Sequence, residues 1–121
     1  MIRFTALLAT LCLSAPPLAA HETKAPDGRQ ETDAGSMHVG TLAKSGRVEV
    51  FISDAAGGPV DASGYAGVAI FMVGGKPARI ALTPAGGNRL TGTSPGELAN
   101  PVKGAVQITA PDGATIQGKY E

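Results

Sequence analysis

Residues Arg47–Ser53 read RVEVFIS, and this stretch decides the fold. Val48, Val50 and Ile52 occupy alternate positions, with Arg47, Glu49 and Ser53 between them, which is the period of a strand with one face buried. On either side the same grammar repeats. Residues 39–43 form a short run ended by Lys44-Ser45-Gly46, and residues 54–59 (DAAGGP) form a turn ahead of Val60. Residues 67–73 (GVAIFMV) are almost wholly apolar, as a strand covered on both faces would be. Gly74-Gly75-Lys76 is a hairpin turn into residues 78–83, where Ile80 and Leu82 share a face. Further turns at 84–88 (PAGGN), 94–101 and 110–113 (APDG) separate runs at 89–93, 103–109 and 114–120. Beyond residue 36, no window keeps a helical period for ten residues without Gly or Pro. Strands about ten residues apart, each bounded by Gly, Pro, Asn or Asp, predict an all-β domain. The expected form is an Ig-like antiparallel β-sandwich of seven to eight short strands over residues 37–121.

Two segments precede it. Residues 1–20 (MIRFTALLATLCLSAPPLAA) have a positive start, an apolar run and small residues at the end. That is the layout of a secretory signal peptide, with cleavage after Ala20. The apolar run is about half of the roughly twenty residues that a spanning helix needs, so no membrane insertion is expected after cleavage. Residues 21–36 (HETKAPDGRQETDAGS) contain no Val, Ile, Leu, Phe or Tyr and read as a disordered arm. Cys12, the only cysteine, lies in the leader, so the mature chain has no disulfide, thiolate metal site or cysteine nucleophile. The expected location is periplasmic or secreted.

Composition narrows the function. Ten basic and ten acidic residues cancel, and five aromatics without Trp make no base-stacking platform, so nucleic acid is not an expected partner. No GxSxG, GxxxxGK[ST] or HExxH motif is present. Asp54, Asp61 and Asp112 fall in turns, where carboxylates cap the backbone. No catalytic residue is assigned and the chain is not expected to be an enzyme.

The candidate chemistry is metal binding, at His21, Met37 and His38. Cleavage after Ala20 makes His21 the N-terminus, whose α-amine and imidazole together can chelate Cu(II). Met37-His38 offers a thioether, which favours Cu(I), beside an imidazole that accepts both copper states. Glu22 or Asp33 could add a carboxylate. Plain alternatives stand beside this: a solvated histidine at a strand edge, an N-terminal histidine left by chance, and a methionine covering the core.

The order of motifs resembles small secreted bacterial β-sandwich proteins, mostly uncharacterised, of heavy-metal and copper efflux settings. The matching pieces are His38-Val39-Gly40, Asp54 with Gly57-Gly58-Pro59-Val60, and Gly74-Gly75-Lys76. They continue through Leu82-Thr83-Pro84-Ala85-Gly86-Gly87-Asn88-Arg89-Leu90-Thr91-Gly92, Lys103 with Val106, and Tyr120. Val39 stands where that pattern has a second residue Gly, and the arm carries few histidines. The resemblance implies a non-catalytic, exported metal-handling accessory, with copper as the candidate cofactor and a periplasmic protein of an efflux system as partner. The alternative is a periplasmic β-sandwich interaction module with no metal.

Overall fold

Alternation of small β-branched residues with polar ones makes strands here, and glycine-rich pairs turn the chain between them. The computed structural model describes residues 23–24 and 28–121; the expected signal peptide and His21 lie outside them. The strands are β1 (Thr23–Lys24), β2 (Gln30–Ala34), β3 (Met37–Lys44), β4 (Arg47–Ser53), β5 (Ala66–Val73), β6 (Lys76–Pro84), β7 (Arg89–Thr93), β8 (Gly104–Thr109) and β9 (Thr115–Tyr120), and no helix occurs among the described residues. All pairings are antiparallel. The all-β class expected from sequence is therefore present, as eight full strands plus the two-residue β1.

The strands lie in the order β1-β2-β3-β4-β7-β6-β5-β8-β9 within one continuous sheet. Two halves of that sheet are joined where the end of β6 meets β7, through Thr83↔Thr91 and Pro84↔Leu90. At the far side β9 approaches β2, so the sheet nearly closes on itself. Gly118 lets this happen: a Cβ there would come within 2.8 Å of Thr32 Cγ2. Thr32 Oγ1 donates to the Lys119 carbonyl at 2.9 Å, and the Tyr120 hydroxyl reaches across to β2 and β3.

The enclosed face is apolar. Val39, Val48, Val50, Ile52, Phe71, Ile80, Leu82, Leu90, Val106 and Ile108 are buried, with Tyr120 edge-on to Phe71 at a ring separation of 6.0 Å. Each such side chain contributes about 1.5–3 kcal/mol of transfer free energy. Residues 67–73 depart from the expected double coverage. Along β5 only Ala69 and Phe71 are buried, while Ile70 is 41% exposed on the opposite face.

Residues 30–36 correct the expected disordered arm. Gln30–Ala34 pairs with β3 along its full length, from Gln30↔Thr41 to Ala34↔Met37. What holds this strand is not hydrophobic mass but fit. Thr32 and Ala34 are small enough to point inward under β9. The Gln30 side chain accepts from the Val102 N–H at 2.7 Å and donates to its carbonyl at 3.4 Å.

Two-residue turns close the hairpins β3–β4 and β5–β6. At Gly74-Gly75 both φ angles are positive (56° and 81°), which glycine adopts freely. In the other turn Ser45 takes φ 52° and Gly46 φ 74°. An L-residue in the left-handed region costs about 1–2 kcal/mol, less for Asn, whose side chain bonds locally. Ser45→Asn is therefore expected to stabilise the domain by about 0.5 kcal/mol, raising Tm by roughly 2–4 °C in a calorimetric scan. An unchanged or lower Tm would contradict this turn geometry.

Candidate functional site

The antiparallel register fixes what the outer face of β2, β3 and β4 displays. Asp33 pairs with His38, and His38 with Ser53; two residues further, on the same face, Glu31 pairs with Gly40, and Gly40 with Phe51. His38 Nδ1 lies 2.7 Å from Asp33 Oδ1, with both side chains nearly half exposed. In the neutral imidazole this bond places the proton on Nδ1 and leaves the Nε2 lone pair directed away from the carboxylate.

Two shallow depressions, of ≈ 410 and ≈ 440 Å³, meet at His38, Glu31 and Gly57. Gly40 leaves the first without a side chain in its floor, next to Phe51. The Arg29 guanidinium sits 4.8 Å from the centre of the Phe51 ring and closes one end by a cation–π contact. Beyond Phe51, Arg89 is bound to Glu49 at 3.1 Å and donates to the Ala85 carbonyl, which holds it on the sheet. The 54–58 turn forms the other border. Asp54 Oδ1 accepts from the Ala56 and Gly58 N–H groups at 3.0 and 2.8 Å and shapes that turn.

The other turn carboxylates behave as the sequence suggests. Asp61 accepts from the Ser63 N–H, and Asp112 from the Ala114 N–H, both at 2.9 Å. Hydrogen bonds from the Ser63 backbone and side chain hold the Asp61 carboxyl below its usual range. Glu97 lies away from the histidine, beside Lys44 and Ser45 around a separate cavity of ≈ 490 Å³.

Of the three candidate metal ligands, His38 stands on the outer face and Met37 packs against the core. Adjacent strand residues point to opposite faces, so Met37 and His38 do not meet as a ligand pair. His21 and Glu22 lie outside the described residues, whereas Asp33 is the carboxylate brought to His38. Among the described residues no group of three or more His, Cys, Asp or Glu side chains is placed to hold a metal ion. Sequence reasoning did not find the Arg29–Phe51 contact or the depression over Gly40, because both depend on β2, and a polar QETDA segment carries no hydrophobic period. The Gly35-Ser36 turn was the one usable signal. No family model matches the chain, and neither a curated protein nor a solved structure matches it.

Proposed function

We propose that the chain is an exported, non-catalytic metal-handling protein that takes up a copper ion in a setting of metal resistance or efflux. The observation that supports this reading is the His38–Asp33 pair. Metal-ligating histidines commonly donate one ring N–H to a carboxylate, which fixes the tautomer and raises the basicity of the other nitrogen. His38 is arranged in that way, with Nε2 available beside an open depression. One imidazole and one carboxylate do not complete a site, so this reading takes the remaining donors from the N-terminal segment.

The register of β1 bears on where they would enter. Thr23 pairs with Glu31 and Lys24 with Gln30, so β1 lies along the outer edge of β2, the strand that carries Asp33. His21, with an α-amine freed by cleavage after Ala20, is the proposed second ligand. Met37, which faces the core, is left out of the proposed site. The same reading takes the two halves of the sheet as facing layers of an Ig-like sandwich and a periplasmic efflux protein as recipient of the ion.

A Cu(II) titration followed by EPR tests this, on protein whose mature N-terminus is confirmed by intact mass. One tight site with nitrogen coupling is expected, lost in both His21→Ala and His38→Ala and weakened about 10–100-fold in Asp33→Asn. Weak binding that is unchanged in all three variants would overturn the metal reading and leave the interaction module.

A further inference from the structure

The half of the sheet away from His38 presents a different surface. Along β5 the outward residues are Val68, Ile70 and Met72, where a solvent-facing antiparallel strand would carry polar ones. Ile70 is the one large hydrophobic residue that is exposed among the described residues. A single exposed isoleucine means little, but its surroundings are specific. Across the ladder Ile70 pairs with Arg79 on one side and Ala105 on the other, and Ala105 pairs with Lys119. Exposed Lys103 precedes β8, its carbonyl accepting the Met72 N–H at 3.0 Å. The strands β5, β6, β8 and β9 contain no Asp or Glu at all; the carboxylate of Glu121 comes only after β9.

We propose that this face, centred on Ile70 and framed by Arg79, Lys103 and Lys119, docks a protein partner whose contact surface is apolar at its centre and acidic around it. Charge complementarity selects that partner. A second copy joined through the same face by a two-fold axis would set Arg79 and Lys119 against their own counterparts, which repel. A lipid surface is disfavoured because the outward positions of these strands carry no Trp, Tyr or Phe, the residues that anchor proteins at a bilayer interface. The proposal does not depend on metal binding, since none of these residues belongs to the His38 site.

The test uses isotope-labelled mature protein and a heptapeptide alternating glutamate with leucine, followed by amide chemical shifts. Shifts confined to Val68, Ile70, Met72, Arg79, Lys103, Ala105 and Lys119 are expected, with binding weakened at least tenfold in Ile70→Ser and in Arg79→Glu. Thermal scans of both variants confirm that they remain folded. Equal binding of a lysine–leucine heptapeptide would overturn the proposal, as would shifts located elsewhere or no shifts at millimolar peptide. Binding to phosphatidylglycerol vesicles without binding to the acidic peptide would replace the protein partner by a membrane.

Discussion

Gly104→Ala is expected to remove a large share of the domain's stability. Gly104 opens β8 at φ 138°, paired with Phe71 on one side and Tyr120 on the other. A Cβ at that position would collide with the Ile70 carbonyl oxygen and stand 3.1 Å from the Phe71 Cα. Both obstacles are backbone of the neighbouring strand, so no side-chain rotation relieves them. Moving the strand would break the ladder that carries Phe71, Val106 and Ile108 into the core. Overpacking of well-packed cores typically costs 1–3 kcal/mol, and a collision with backbone at a disallowed φ should cost more, about 4 kcal/mol or above. A domain of this size has about 5–15 kcal/mol in total. The check is a denaturant or thermal melt against Gly40→Ala. There the added Cβ meets only the flexible Arg29 and Glu31 side chains, at 3.4 Å or more, and a change below about 1 kcal/mol is expected. Similar melts for the two variants would contradict the β5–β8 geometry.

That contrast shows what could be read from the chain and what could not. β4 and β7 match the sequence reading residue for residue, because Val48, Val50, Ile52 and Leu90 supply an apolar period that only a half-buried strand explains. Turn chemistry was equally legible: Asp54 and Asn88 stand in the motifs that first drew attention, and both have local backbone work. Asn88 donates to the Ile52 carbonyl at 3.1 Å, and its own carbonyl accepts the Ile52 N–H at 3.0 Å. Residues of that kind report on fold more than on activity.

The illegible parts share one cause. β2 is held by Thr32, Ala34 and the amide of Gln30, and hydropathy gives such residues no weight. The near-closure of the sheet depends on Gly118 and the Tyr120 hydroxyl meeting Thr32 and Val39, which lie far back in the sequence. For β5 the apolar run was visible, but which residues it buries depends on the register with β6 and β8. The candidate site divides in the same way. His38 stood out as a rare residue type; that Asp33 would orient it follows only from the β2–β3 register.

Tyr120→Phe isolates the closure of the sheet, because it keeps the ring against Phe71 and removes only the hydroxyl. That oxygen accepts from Thr41 Oγ1 at 2.9 Å and stands 2.8 Å from the Val39 carbonyl and 3.1 Å from the Gln30 carbonyl. One phenolic proton serves the two carbonyls, and the whole cluster is buried or nearly so. Deleting the hydroxyl leaves the Thr41 hydroxyl without its acceptor and takes a donor from the two carbonyls; each orphaned group costs about 1–3 kcal/mol. A loss of about 2–4 kcal/mol is expected, lowering Tm by roughly 10–20 °C. Thr41→Val in the same chain should recover part of that loss, since it removes the stranded hydroxyl as well, and the two substitutions will then be non-additive. Hydrogen exchange locates the effect: protection should fall in β2 and β9 before it falls in β5. Uniform loss of protection across all strands would mean that Tyr120 acts as general core packing and that the β2–β9 seam is held by Thr32 and the Gly118 contact alone.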